Sequence, residues 1–559
     1  MKKLIGFLVL VSLIMVAGTA FAAELKVGSR YYTKFLDRNT YDITKYVTTG
    51  NGVGIRSELE LSLNGQVSDR CEMGGRILTV WAPPGIAPDY SDWGGWYNGG
   101  ANLWQVRGMW LTFRPATIPT LKSVLLGSTD LGMFNPWTIG KIRWIDRDNA
   151  RIIYAEGEIG KAKYGIGTTP MPSWWGPGWL TGASFADPFN RRCWATGATI
   201  AFAPTQAINL KLTASHILAP QQDPAIPTDE TKAVTRYDNA VETLEILFQP
   251  NPVYSISGLI GLSNYSADKA LIGASQGWWP QIPYANVTGN ALKLDAAADD
   301  PLGIGLTLKG EYFNITPDFV SIMAARRETK VLLSEGHVRY GANTNGSTWK
   351  GDVGYTPSPF ADNGITDWNE TFYYNCIGTN GGTIVPEFRR GALGLKGEVS
   401  VMQNGLNSQS VDTTKYFWSA AKVNQSSLLG AVRVDYLLPV GTGLNIFGKY
   451  KMANWSDGVD TSIATDDLAM NDTEMYAGAS YQLTDELGLT GGYKTLAYVN
   501  KTADTKTYDL SGGMVFAEVK ANVGGVDMAW AYEKVDGTEN VSSAKVKDMR
   551  IKATVEVKI

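Results

Sequence analysis

Alternation of apolar and polar side chains, repeated over most of the chain, is the feature that most limits what this sequence can fold into. The final stretch shows it plainly. Met549, Ile551, Ala553, Val555, Val557 and Ile559 share one parity; Arg550, Lys552, Thr554, Glu556 and Lys558 share the other. Successive side chains of a strand point to opposite faces, so one face here is apolar and the other charged. Taken alone, such a strand fits a soluble antiparallel sheet with its apolar face inward. It equally fits a membrane barrel, with that face turned to lipid and the charges to a water-filled lumen.

Repetition separates the two. Leu25, Val27, Tyr31 and Thr33 oppose Lys26, Arg30, Tyr32 and Lys34. Val53, Ile55, Leu59, Leu61 and Leu63 oppose Arg56, Glu58 and Glu60, and the partner strand sets Cys71, Met73 and Ile77 against Arg70, Glu72 and Arg76. The pattern returns near 208–215, 302–312, 432–436, 444–452, 474–483 and 526–533. Connections alternate as well. Short ones fall near Ser68, Ala116, Gly160, Pro204, Pro250, Val440, Asp485 and Gly524. Long polar ones cover 36–51, 81–102, 129–149, 169–194, 218–237, 265–301, 454–472 and 535–546. A sandwich has no reason to keep one end short throughout, whereas an outer-membrane barrel has tight periplasmic turns and long external loops. The expected fold is all-β: a single transmembrane, antiparallel, up-and-down β-barrel of about 20 strands, with 18 to 22 allowed by the uncertainty of strand boundaries.

The N-terminus points to the same compartment. Lys2 and Lys3, the apolar run 4–16 and Ala20-Phe21-Ala22 read as a secretory signal peptide over 1–22, leaving 23–559 as one barrel domain. Beyond it there is no apolar run long enough for a spanning helix, no linker, and no room for a separate N-terminal plug. A formal charge of −4 is not that of a nucleic-acid binder. Three cysteines are too few for a disulfide framework; Cys193 and Cys376 lie in polar stretches and are a candidate pair, while Cys71 sits at an apolar strand position. Alternation fails in 315–390, an irregular region that either holds two extra strands or contributes a segment folded into the lumen, with 315–336 the candidate for that segment.

Candidate pore-lining or constricting residues follow from parity and from the irregular region: Arg30, Arg56, Glu58, Glu60, Arg70, Glu72, Arg76, Arg107, Lys309, Glu311, Arg433, Asp435, Lys449, Arg550 and Lys552 on the wall, with Arg326, Arg327 and Glu328 in the segment. Rings of charge at a narrowing select solutes by charge, although cross-strand pairing stiffens a wall without selecting anything. Trp93, Trp96, Trp174, Trp175, Trp179, Trp278 and Trp279 cluster in long connections. They suit interfacial packing, or stacking of a sugar or aromatic solute at the mouth. Catalysis finds little support. The two histidines, His216 and His337, carry no recognisable motif, and Ser215 points away from His216. No metal or cofactor is expected.

The signal peptide, the repeated amphipathic strands and the terminal strand 549–559 together resemble the outer-membrane porins of Gram-negative bacteria. Such strands usually end in an aromatic residue, and this one ends in Ile559. The resemblance implies passive diffusion of small hydrophilic solutes or ions, contact with outer-membrane lipid, and recognition of 549–559 by the outer-membrane insertion machinery. The alternatives are a non-conducting surface-binding or structural barrel that uses the Trp-rich loops and, less favoured, an outer-membrane hydrolase.

Overall fold

The computed structural model describes residues 24–41, 52–81, 103–129, 131–140, 150–170, 194–219, 237–267, 286–316, 318–321, 323, 379–404, 426–441, 443–456, 468–502 and 505–558. The expected signal peptide, Cys193, Cys376, His337, Arg326, Arg327, Glu328 and six of the seven singled-out tryptophan-loop positions, Trp93, Trp96, Trp174, Trp175, Trp179 and Trp278, lie outside these residues, as does the seventh, Trp279.

Among the described residues are 22 strands: β1 (Glu24–Tyr41), β2 (Gly52–Ser68), β3 (Cys71–Trp81), β4 (Leu103–Phe113), β5 (Leu121–Thr129), β6 (Ala150–Ile159), β7 (Ala162–Pro170), β8 (Trp194–Phe202), β9 (Ile208–Ala219), β10 (Tyr237–Phe248), β11 (Tyr254–Ala267), β12 (Val287–Asp299), β13 (Leu306–Ile315), β14 (Thr379–Arg390), β15 (Leu393–Asn404), β16 (Ser426–Leu438), β17 (Leu444–Ser456), β18 (Leu468–Thr484), β19 (Leu487–Thr502), β20 (Thr505–Val523), β21 (Val526–Glu539) and β22 (Ala544–Lys558). Each pairs antiparallel with its sequence neighbours, and β22 closes the sheet on β1 with Arg30 opposite Lys558 and Tyr41 opposite Lys547. Closure removes both free edges of the sheet. A ring of 22 strands spaced ~4.8 Å apart and tilted about 40° is roughly 40 Å across.

The tightest turns follow from local chemistry. Gly524 and Gly525 join β20 to β21 with φ of 61° and 83°. That doubly left-handed pair is what a two-residue hairpin of the favoured hand requires.

Contacts fix which face is the lumen. Asn239 and Ser263 bond to the segment at Val320 inside the ring. Register then carries the assignment from strand to strand. Outward positions are apolar and open: Ile153 is 56 % exposed, Ile260 47 %, Val432 46 % and Val515 50 %. On β22 the outward side chains stay apolar from Val557 to Met549 and turn charged at Lys547. Eight residues at ~3.3 Å rise and about 40° tilt give a band roughly 20 Å tall, close to the hydrocarbon-facing band of a membrane barrel. Phe202, Phe248, Tyr254, Tyr436 and Tyr481 ring its short-turn edge, each more than a third exposed or at a strand end. Placing arginine at Ala553, near the middle of this band, is expected to cost about 2–4 kcal/mol, whereas Lys552→Ala on the inner face stays below ~1 kcal/mol. Urea unfolding of bilayer-folded protein measures both.

The strand count of 22 among the described residues lies within the expected 18 to 22. Several other sequence expectations need correction. The stretch 265–301, expected as one long connection, contains β12, and the irregular region 315–390 contains β14. Leu302 and Ile304, read as strand, lie in the β12–β13 turn, where Gly303 and Gly305 have φ of 67° and 86°. Arg70 sits in the β2–β3 turn rather than on the wall. The connection expected over 535–546 shrinks to 540–543, because β21 and β22 run on past the apolar band.

Candidate functional site

The site is the lumen. Two segments from the long-connection end fold into it, 131–140 after β5 and 318–323 after β13. Of the second, 318–321 and 323 are described. Leu131, Phe134, Trp137, Ile139, Phe319, Val320 and Met323 are each at most 3 % exposed. Asn135 shapes the first segment as a helical turn. Its side chain accepts from Trp137 N at 2.7 Å, and its carbonyl accepts from Thr138 Oγ1 at 2.8 Å and from Ile139 N at 3.0 Å, as an N-cap does. The segments bond to each other. Ser321 Oγ donates to Trp137 O at 2.7 Å, Gly140 N donates to Met323 O at 2.8 Å, and the Trp137 and Phe319 rings meet edge-on at 6.2 Å.

The wall beneath is made to receive them. Inward positions of β7, β8, β11 and β12 carry Gly165, Gly167, Gly197, Gly261 and Gly289, interleaved with Thr199, Thr213, Ser215, Asn239, Thr243 and Ser263, all buried. Phe134 lies over Gly197 and Phe319 over Gly261. Asn239 Nδ2 donates to Val320 O at 2.9 Å, and Val320 N donates to Ser263 Oγ at 3.0 Å. An apolar plug thus sits on a polar, small-residue wall whose hydroxyls satisfy its backbone. The sequence expected a lumen segment at 315–336 and missed the one at 131–140, which it placed in an external connection. Its composition, with Leu131, Phe134, Trp137 and Ile139 among Gly, Asn and Pro, is too apolar for a solvated loop, and that was the available signal.

Below the plug, toward the short turns, lies a cavity of about 670 Å³ lined by Asn135, Pro136 and Trp137 on one side. One cross-strand row forms the other: Lys163, Ala201, Lys211, Glu245, Leu259 and Lys293 on successive strands β7 to β12. Lys293 contacts Asp295 at 2.9 Å and Glu311 at 3.1 Å; Lys211 stands 3.8 Å from Glu245.

Apart from Arg70 in its turn and Arg107 at a bulge, the predicted wall residues that the structure describes hold inward register positions, and many of them pair. Arg30 meets Glu556 at 2.6 Å, Arg76 meets Glu60 at 3.8 Å, Glu72 meets Arg114 at 2.8 Å and Lys309 meets Glu387 at 3.5 Å. Arg433 holds Asp435 through two bonds of 2.8 Å and lies 5.5 Å from the centre of the Phe447 ring. Arg550 and Lys552 fall on inward rows opposite Glu533 and Ala531. Arg56 and Glu58 fall on the inward parity of β2, and Arg107 lies at the bulge between β3 and β4; their side chains lie outside the described residues. Glu311 is not open to the lumen: it is 6 % exposed, and its side chain is closed off against Lys293. Lys449 differs from the rest. Among the described residues its partner is the Tyr476 ring, 5.5 Å away, and not a carboxylate.

His216 bonds Asp238 Oδ1 at 3.0 Å on the outer face, with Ser215 directed into the wall. The pair therefore has no hydroxyl beside it from its neighbour in the chain. Among the described residues no three His, Cys, Asp or Glu side chains group closely enough to hold a metal ion.

No protein-family model matches the chain, and no curated protein does. Solved structures similar to it include OccK9 (OpdG) of Pseudomonas aeruginosa, at 11 % identity over 96 % of this chain and 99 % of that one, with a TM-score of 0.37. Another is OccAB3 of Acinetobacter baumannii, at 9 % identity over 96 % of this chain and 100 % of that one, TM-score 0.35. A third is OmpT, an outer membrane protein of Vibrio cholerae, at 10 % identity over 96 % and 98 %, TM-score 0.27. At these identities and scores, neither ligand nor mechanism transfers to this chain.

Proposed function

We propose that this protein is a passive channel in the outer membrane of a Gram-negative bacterium, admitting small hydrophilic solutes or ions. The observation that carries the reading is the inversion of the barrel: apolar outside over a membrane-sized band, charged inside. A bore roughly 40 Å across between backbones would barely sieve solutes. The plug on β7 to β12 narrows it from one side. On the rest of the wall Arg30, Lys309, Lys396 and Arg433 remain between 38 % and 52 % exposed at their side chains. Transport needs no chemistry, only a hydrated path and a wall charge. The protein is accordingly read as no enzyme, in keeping with the outward placement of His216.

Purified protein in a planar bilayer is expected to give steady ohmic conductance steps. A folded barrel that stays silent overturns the channel and selects the alternative of a non-conducting, surface-binding barrel. Lys449→Glu is expected to shift the reversal potential in a salt gradient toward cation selectivity, because it replaces a lumen cation, whose partner among the described residues is the Tyr476 ring, by an acid. An unchanged potential removes Lys449 from the ion path.

A further inference from the structure

Above the apolar band, the outward face of the barrel is not uniform. On β9 to β13 its first polar positions are His216, Asp238, Asn264, Thr288, Asn290 and Asn314, with no lysine or arginine among them and His216 bonded to Asp238. On β21 and β22 they are basic. Moving up β21, the outward residues are Val526, Met528, Trp530 and Tyr532, then Lys534, Asp536 and Thr538. On β22, Met549 gives way to Lys547 and Lys545. Lys534 stands opposite Met549, Asp536 opposite Lys547, and Thr538 opposite Lys545. Same-face neighbours and diagonals on paired strands are about 5–8 Å apart, within reach of long side chains converging on one group. All three lysines are exposed. Lys545 Nζ donates to Thr538 Oγ1 at 3.2 Å, and among the described residues none of the three forms an ion pair.

We propose that Lys534, Lys545 and Lys547 bind the phosphate of an anionic lipid in the leaflet at the long-connection end. Three ammonium groups offset by one carboxylate leave a net positive patch. It lies directly over Trp530 and Tyr532, whose outward rings can pack along an acyl chain below the headgroup. A free anion would gain the charge but nothing from the rings or the apolar band, so the position favours a lipid. Lysine stems lying along apolar surface with their ammonium groups at headgroup level are the expected geometry. The assignment rests on the membrane-barrel reading above.

The test uses full-length protein in phosphatidylcholine vesicles, with trace spin-labelled phosphatidic acid or spin-labelled phosphatidylcholine. Wild type is expected to immobilise phosphatidic acid roughly tenfold more strongly than phosphatidylcholine, a preference weakened by salt, given about 1 kcal/mol per surface lysine and partial screening. The triple variant Lys534→Gln, Lys545→Gln, Lys547→Gln is expected to lose the preference while keeping heat-modifiable gel migration. Lys122→Gln, a basic position at the short-turn end, is expected to keep it. Equal immobilisation of the two lipids by wild type, or a preference that survives the triple change, overturns the proposal. Displacement of phosphatidic acid by inorganic phosphate also overturns it, by marking a free-anion site. Protein that fails to float with the vesicles overturns the membrane reading and this proposal together; floating without lipid preference overturns this proposal alone.

Discussion

Gly289→Val is expected to expel the 318–323 segment from the lumen and raise single-channel conductance. A Cβ on Gly289 falls 2.1 Å from both the Asp318 carbonyl carbon and the Phe319 amide nitrogen, and 2.4 Å from the Asp318 oxygen. These are backbone atoms on both sides of the clash. Neither can swing away as a side-chain tip would, and the Gly289 backbone is held in the paired sheet. The strand therefore stays and the segment leaves. Its departure exposes Phe319, Val320 and Met323, each 0 % exposed. At about 1.5–3 kcal/mol per buried apolar side chain, the three together lose roughly 4.5–9 kcal/mol, an upper range because the freed chain recovers some burial elsewhere. It also strips Trp137 and Ser321 of their mutual contacts, so the 131–140 segment loosens with it. The barrel itself persists, because the outward face and the ladder are untouched. Gly310→Ala is the control: its nearest neighbour, the Thr383 carbonyl, is 4.0 Å from a built Cβ. Conductance that falls or stays level in Gly289→Val, with heat-modifiable migration intact, shows that the segment does not occupy the ion path.

The same plug explains what the sequence could and could not reveal. Where the inner wall faces water, parity alone suffices: Met549 to Lys558, Arg433 to Tyr436 and Val526 to Glu533 alternate as a two-solvent strand must, and the structure orients them accordingly. All eight short connections expected from sequence are turns. Beneath the plug the rule inverts. On β12 the inward residues Val287, Gly289 and Ala291 are apolar or absent, and the outward residues Thr288 and Asn290 are polar, because the lumen there holds protein and the outer face has already left the apolar band. A reader of parity sees a polar connection. On β14, Val385 points inward and is 4 % exposed, while Gly382 and Pro386 point outward; these interrupt an alternation that Thr383, Ile384, Glu387 and Phe388 otherwise keep. The inward charges on the strand termini were legible as a set, but their partners were not. Arg30 and Glu556 are 526 positions apart in the chain and meet only because β22 closes on β1. Nor does sequence distinguish Lys449, which keeps an aromatic partner, from Lys451 two residues on, which is 9 % exposed and belongs to a closed cluster.

That cluster carries the largest expected effect of a single polar change. Lys494 is 0 % exposed, Glu474 2 % and Lys451 9 %. Lys494 Nζ contacts Glu474 Oε1 at 2.8 Å and lies 4.9 Å from the centre of the Tyr476 ring; Lys451 Nζ stands 3.9 Å from Glu474 Oε2, and Tyr476 OH donates to that oxygen at 2.9 Å. One carboxylate therefore stands between two ammonium groups already withdrawn from water, and the Tyr476 ring face adds a favourable field around Lys494. Glu474→Gln keeps the shape and removes the charge, leaving two buried cations facing a neutral amide. Breaking a buried pair from one side costs about 3–5 kcal/mol, because the abandoned charge cannot recover its hydration. Lys494→Met is expected to cost less, since Glu474 retains Lys451 and the Tyr476 hydroxyl, and the new side chain lies opposite Met514 of β20, itself 3 % exposed. Combining Glu474→Gln with Lys494→Met is expected to be milder than Glu474→Gln alone, giving a coupling free energy of opposite sign to the single losses. Urea unfolding in lipid vesicles, followed by tryptophan fluorescence, measures all three. If Glu474→Gln leaves the midpoint where wild type has it, the cluster is not held by the Glu474 carboxylate.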